Sequence, residues 1–308
     1  MIVTVTPNPS IDRTLEIDRL ERGALIRAKR STAEAAGKGV NVSCALAAMG
    51  VATVAVLPLA KDSAATFIGL LADATPIAAV PIAGSIRTNV SVVEADGTVT
   101  KLNEPGPALA SRDVDAILAA ATAVPGAGWI VGCGSLPPGA PVDFYARLAE
   151  RAGTGQRVAV DTSSEALGAA VCAGVALIKP NLDELAALVG RPLTTIGEAT
   201  AAAREVIARG CRALLVSMGP DGALFVDANS AVHAEAAIDD VVNTVGAGDA
   251  LLAGFLAAGG GASAIGDAVA WSVAAVRSPG TRMRSVTAAD RGAVHVHERI
   301  DPARRLRL

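Results

Sequence analysis

Short apolar runs that alternate with alanine-rich stretches restrict the fold of this chain more than any other feature. The runs VATVAVLPLA (51–60), WIVGC (129–133), RVAVD (157–161), ALIKP (176–180) and ALLVS (213–217) are continuously apolar, as strands buried on both faces must be. Between them, SRDVDAILAAATAV (111–124), VDFYARLAERAG (142–153) and TIGEATAAAREVIARG (195–210) have helical composition, the first with Ser111 as its expected cap. This alternation predicts an α/β fold with a parallel sheet covered on both faces. Ligands of such sheets collect at the carboxyl ends of the strands. The chain has 308 residues, 51% of them hydrophobic but only 2% aromatic, so a large core has to be built from Ala, Val, Leu and Ile.

Other segments break the rhythm. IDRTLEIDRL (11–20) and IRAKRSTA (26–33) are polar, alternating and too short for helices. RTNVSVVEADGTVTKLNE (87–104) places Asp96-Gly97 between two alternating arms, a hairpin signature. One-sided strands of this kind fit a small antiparallel sheet standing off the main body. It could be a lid that doubles as a subunit contact, or an ordinary edge hairpin, and the pattern supports both. No internal repeat or linker is visible, and the chain reads as one domain over 1–308. The final DPARRLRL (301–308) is expected to be frayed and basic.

A net charge of −3 argues against nucleic acid bound over a broad face, while leaving room for a local anion pocket. Cys44, Cys133, Cys172 and Cys211 are dispersed in apolar contexts, so buried free thiols are expected rather than disulfides. The opening MIVTVTPNPS lacks the pattern of a secretory signal, and apolar runs are interrupted before membrane-spanning length. The expectation is a cytoplasmic protein with no membrane contact.

Four glycine- or lysine-bearing stretches could carry chemistry. Gly246-Ala247-Gly248-Asp249 opens an apolar helical run. Bare N–H groups at a helix start attract an anion, and an adjacent carboxylate could take a proton from a hydroxyl attacking a phosphate. A plain capped helix fits equally well. The loop around Gly37, Lys38, Gly39 and Asn41 is not a Walker A motif, since glycine follows the lysine. It could wrap a small anionic ligand or simply begin a helix with a solvated lysine. In KPNLDEL, Lys179 could meet phosphate, and Asn181 with Glu184 three residues on could serve Mg²⁺ held largely through water, or form an N-terminal cap. In SMGPDG, Ser217, Gly219 and Gly222 could admit a nucleotide to the backbone or form a plain hairpin. His233, His295 and His297 read as surface residues rather than a zinc site, and no G-x-S-x-G elbow is present.

The order of TPNPSIDRT, GKGVNV, RTNV, NEPGP, GSLPPG, VDTS, KPNLDEL, SMGPDG, TVGAGD and SPGT is more specific than any one of them. From the first strand to Thr281 the chain resembles the PfkB-type, ribokinase-like sugar kinases, and within them the phosphosugar branch that includes 1-phosphofructokinase and tagatose-6-phosphate kinase. The resemblance implies a three-layer α/β/α sandwich with a mostly parallel central sheet and an antiparallel β-sheet lid drawn from about 11–33 and 87–104. It implies an ATP- and Mg²⁺-dependent phosphotransferase acting on a ketose phosphate, D-fructose 1-phosphate first, with fructose 6-phosphate and tagatose 6-phosphate as alternatives. It also implies a homodimer through the lid. By the same resemblance Asp249 is the catalytic base and Gly246, Ala247 and Gly248 are the anion hole. Asp12, Gly37, Lys38, Gly39, Asn41, Arg87, Asn89 and Ser135 bind the acceptor. Lys179, Asn181, Ser217, Gly219 and Gly222 meet the nucleotide, and Glu184 serves the metal. The chain departs from the family pattern at Ala36 and Ser164, where glycine is usual. A non-catalytic sugar-phosphate or nucleotide sensor is the alternative of another class. Kinases of nucleosides or unphosphorylated sugars fit less well, because Lys38 and Arg87 would face no anion.

Overall fold

The continuous apolar runs become strands of a ten-stranded sheet in the computed structural model of the chain, which describes residues 1–71, 75–280 and 282–307. In chain order the strands are β1 (Ile2–Val5), β2 (Ser10–Glu16), β3 (Arg30–Ala36), β4 (Thr53–Ala60), β5 (Ile77–Ile82), β6 (Arg87–Val93) and β7 (Val99–Asn103). They continue as β8 (Trp129–Cys133), β9 (Arg157–Asp161), β10 (Leu177–Ile178), β11 (Ala213–Ser217), β12 (Ala223–Asp227), β13 (Ala231–Ala236) and β14 (Val294–Val296). The helices are α1 (Lys38–Ala48), α2 (Lys61–Leu70), α3 (Ser111–Thr122), α4 (Phe144–Arg151) and α5 (Ser164–Cys172), then α6 (Leu182–Val189), α7 (Ile196–Ala208), α8 (Ala247–Ala257), α9 (Ile265–Val276) and α10 (Ala288–Gly292).

The main sheet runs β14-β13-β12-β11-β10-β9-β8-β1-β4-β5. It is parallel from β5 to β11 and antiparallel from β11 to β14. Side chains alternate across it. On β8, Ile130 packs among the α3, α4 and α5 residues Ile117, Tyr145 and Leu167, while Trp129 and Val131 pack with Leu46 of α1, Leu252 of α8 and Trp271 of α9. Each strand therefore feeds two cores, which is why its sequence is continuously apolar.

The polar, alternating segments form a second, four-stranded sheet in the order β3-β2-β6-β7. Its outer pairs are antiparallel, and the seam between β2 and β6 is parallel over seven residue pairs, Ser10↔Arg87 through Glu16↔Val93. The Asp96-Gly97 turn forms as expected: Gly97 has φ +88° and the Thr98 N–H donates to Asp96 Oδ1 at 2.9 Å.

Several expectations need correction. Helix α3 is capped by Ala110 rather than Ser111; the Ala110 N–H donates to Asp113 Oδ2 at 2.9 Å, so an acid in the first turn does the capping. Cys172 is exposed and Cys44 half-buried, because Cys172 ends α5 and leaves the apolar stripe there. The basic tail is docked. Leu306 is buried and its N–H donates to the Thr194 carbonyl at 2.9 Å. Arg307 Nε and its N–H both reach the Asp221 carboxylate, at 2.9 and 2.7 Å, and Arg304 is paired with Glu235. Asp221 is 1% exposed, and a carboxylate so placed needs cationic partners. Leu308 and Thr281 lie outside the described residues. His233 is buried rather than at the surface, and its Nε2 donates to the Asp221 carbonyl at 2.7 Å. Among the described residues no helix is long and apolar enough to cross a membrane.

Ser164 begins α5 with φ +58°, a left-handed conformation unusual for a residue with a Cβ. The glycine usual at this position is thereby explained as a backbone requirement.

The carboxyl end of β8 is fixed by side chains as well as by the sheet. Tyr145 is fully buried and its hydroxyl donates to the Gly134 carbonyl at 2.7 Å. A Cβ on Gly132 would run into the ring of Tyr145. Gly132→Ala should therefore lower unfolding stability by about 1–3 kcal/mol through overpacking. A urea midpoint equal to that of the unaltered protein would refute this.

Candidate active site

The site is built where the carboxyl ends of β1, β8, β9, β10 and β11 meet the starts of α1, α6 and α8. Gly37 has φ +130°, and Cβ atoms on Gly37 and Gly39 would fall 2.8 Å from Thr6 Cγ2 and 2.5 Å from Thr6 Oγ1. Only glycine at both positions lets the loop lie against the end of β1, and that contact sets where Lys38 and Asn41 begin α1. The Ala36 methyl, a departure from the family pattern, sits buried at the end of β3.

Two carboxylates are buried here. Asp161 ends β9 and is 0% exposed. Lys38 Nζ donates to its Oδ1 at 2.7 Å, and Lys179 Nζ lies 3.1 Å from Oδ2, an ion pair short of full hydrogen-bond alignment. Burial disfavours the charged form of Asp161, but Lys179 and Lys38 outweigh it and hold the carboxyl below the usual carboxylate range. Lys38 is itself opposed by burial, yet Asp161, with Asp249 and Glu184 behind it, keeps the ammonium above its ordinary range.

Asp249 is the third residue of α8 and 7% exposed. Burial, then the charge of Asp161, push its carboxyl up to about 6 against the hydrogen bond from Asn41 and the charges of Lys38 and Lys179. The Asn41 Nδ2 donates to Asp249 Oδ2 at 2.8 Å, joining the start of α1 to the start of α8. Gly246 caps α8 in the left-handed region at φ +81°. The first-turn N–H groups that follow it have no acceptor inside the helix. Lys179 stands beside them, for a Cβ on Gly248 would lie 3.4 Å from its Nζ.

From this helix start a cleft of about 910 Å³ opens on one side. Asn181, Ser217, Gly219 and Gly222 line it together with Ala247 and Gly248, and its wall is apolar where Ile238, Val269 and Val273 contribute. All four of these predicted nucleotide residues are thus in one cavity with the anion hole. Asn181 and Glu184, however, are engaged with each other as a capping box: Asn181 Oδ1 accepts from the Glu184 N–H at 2.7 Å and Glu184 Oε2 from the Asn181 N–H at 2.9 Å. The capping alternative is therefore realised, with Glu184 Oε1 outside that exchange. No group of three or more His, Cys, Asp or Glu residues at metal-binding positions occurs among the described residues.

The other side is floored by the small sheet. Asp12 and Asn89 are register partners on β2 and β6, and Asn89 Nδ2 donates to Asp12 Oδ1 at 2.9 Å and to Ser10 Oγ at 3.1 Å. Arg87, next in the same strand, is half-buried; desolvation holds its guanidinium below the usual range, with Asp12 opposing. Ser135 Oγ accepts from Asn8 Nδ2 at 3.4 Å. Buried polar atoms without a partner among the described residues cluster in this part of the chain's fold: Thr6 Oγ1, Asn8 Oδ1, Arg87 Nε and Asn89 Oδ1. Orphaned buried groups are costly unless something else satisfies them.

Sequence reasoning gave no role to Asp161, Asn8 or Thr6. Each lies inside a quoted motif, VDTS or TPNPS, but its partners are distant in sequence: Lys38 is 123 residues from Asp161, and Ser135 is 127 from Asn8.

Comparison with known proteins agrees with this architecture. The pattern of the pfkB family carbohydrate kinase matches residues 5–286. The 1-phosphofructokinase of Haloferax volcanii is 41% identical over 261 residues, covering 84% of this chain and 84% of that protein. The 1-phosphofructokinase of Rhodobacter capsulatus is 39% identical over 260 residues, covering 83% and 82%. Among solved structures, phosphofructokinase-2 from Escherichia coli in complex with potassium superposes with a TM-score of 0.85 at 32% identity, covering 94% of this chain and 96% of that one. The ribokinase-like three-layer fold with its smaller sheet is thereby shared, and the chain belongs to the pfkB family of carbohydrate kinases, which use ATP as phosphoryl donor.

Proposed function

We propose that this kinase phosphorylates a hydroxyl of a ketose phosphate, D-fructose 1-phosphate before fructose 6-phosphate or tagatose 6-phosphate. The observation that carries the reading is the Asn41–Asp249 bond, which places a buried carboxylate where the acceptor loop meets the anion hole and the nucleotide cleft. The relatives named 1-phosphofructokinase support the first acceptor, and the likeness to phosphofructokinase-2 supports the second.

In this reading the apolar cleft takes the nucleotide, with Asn181, Ser217, Gly219 and Gly222 against it. The N–H groups after Gly246, with Lys179, hold the phosphoryl group as its charge is redistributed. Lys38 and Arg87 meet the acceptor's own phosphate, and Asp12, Asn89 and Ser135 meet its hydroxyls, which would satisfy the orphaned Arg87 Nε and Asn89 Oδ1. Asp249 takes the proton from the attacking hydroxyl. A carboxyl titrating near 6 is ionised at neutral pH and a stronger base than an ordinary aspartate. Mg²⁺, which neutralises phosphate charge when bound, would draw on Glu184 and otherwise on phosphate oxygens and water, a fit with the absence of an all-protein ligand cluster among the described residues.

Asp249→Asn should retain binding of ATP and sugar phosphate while kcat falls by ~10²–10⁴-fold. Turnover near that of the unaltered enzyme would remove Asp249 from this role. An ADP-release assay with the three ketose phosphates should give the highest kcat/KM for fructose 1-phosphate. A clear preference for either other acceptor reassigns the substrate, and tight binding without ADP formation would restore the sensor reading.

We also infer a homodimer through the small sheet. Its edge strand β7 exposes Val99 and Leu102, at 50% and 61%, and an open apolar edge invites pairing. Light scattering at micromolar concentration should report a dimer that Leu102→Lys weakens. A monomeric unaltered protein contradicts the inference.

A further inference from the structure

Lys38 and Lys179 come from opposite sides of the site. Lys38 opens α1 beside the acceptor loop, and Lys179 follows β10 beside Gly248 and the nucleotide cleft. Both nevertheless converge on one carboxylate, Asp161, which solvent does not reach. One cation would neutralise it; two leave an excess of positive charge at the junction of the two compartments. The Lys179 side chain is 6% exposed and that of Lys38 is 40% exposed, so neither is simply a solvated surface lysine.

We propose that Asp161 is a positioning residue that aims Lys38 at the acceptor's phosphate and Lys179 at the transferred phosphoryl group, and so couples the two binding sites through one shared carboxylate. The proposal deepens the functional reading above and rests on it for its pH arm alone. Asp249 is faced by Asn41 and Lys38 from α1, Lys179 after β10, Asp161 from β9 and the Cys133 thiol from β8. Of these, Asp161 alone adds negative charge, and with burial it raises the Asp249 carboxyl. An enzyme that needs Asp249 ionised loses activity as pH falls through about 6. Removing the Asp161 charge leaves both lysines to act on Asp249 unopposed, so the acid limb must move to lower pH.

The test is Asp161→Asn in the full chain, which keeps the side chain's shape. The KM for ATP and the KM for the sugar phosphate should both rise, each about ten-fold, the worth of one charge-assisted hydrogen bond. The acid limb of kcat should move down by roughly one pH unit. A purely structural residue would lower the melting temperature and the active fraction while leaving both KM values and the limb in place, and that result overturns the proposal. Should Asp161→Asn fail to fold, Lys38→Met decides. With Lys38 gone, Asp161 holds Lys179 alone and the KM for ATP rises although Lys38 is on the acceptor side; an unchanged KM for ATP refutes the coupling. If Asp249→Asn retains turnover, the base assignment falls together with the pH arm, and the KM results still judge Asp161 separately.

Discussion

A buried negative charge at the end of β9 organises this molecule. Asp161 has no access to water, so it must be paired, and the partners it finds are lysines from the two neighbouring segments that reach the same edge of the sheet. A parallel sheet makes that convergence possible because it brings all its carboxyl ends to one side. Once the lysines are fixed there, a second carboxylate can be buried at the start of α8 without being forced fully neutral, and Asp249 occupies that place with a raised affinity for protons.

The two compartments either side of this cluster differ in how they are made. The nucleotide side is a cleft with an apolar wall and backbone approached through glycines, suited to a flat base and a chain of phosphates. The acceptor side is polar and carries buried atoms without partners, as expected of a surface built to be completed by hydroxyls and a phosphate. The cap box of Asn181 and Glu184 ties the first compartment to α6, so a group that might serve a metal also serves the helix.

Much of the fold was legible because the pattern that carries it is local. WIVGC, RVAVD and ALLVS coincide with β8, β9 and β11, and the Asp96-Gly97 turn formed where its chemistry required. ALIKP kept only Leu177 and Ile178 as strand, since the chain must leave the sheet to place Lys179. What was not legible depended on distance. Nothing near Asp161 announces two lysines, and nothing near the final arginines announces Asp221 and Glu235. Such tertiary pairing overrode the composition that made residues 301–308 look loose. The positive φ at Ser164 was likewise invisible, although the missing glycine was itself the clue.

The parallel seam between β2 and β6 has a consequence for how this small sheet can change. A hairpin is one excursion of the chain and can be grafted or deleted as a piece. Here the two arms leave the main body at separate places, with α1, β4, α2 and β5 threaded between them, and are then sewn together over seven residue pairs. Losing either arm would strip a long row of amides and carbonyls from the other and expose it as a raw margin. Insertions are therefore tolerable only at the turns, and any swing of the sheet has to carry Asp12 and Asn89 together, since they face one another across the stitch.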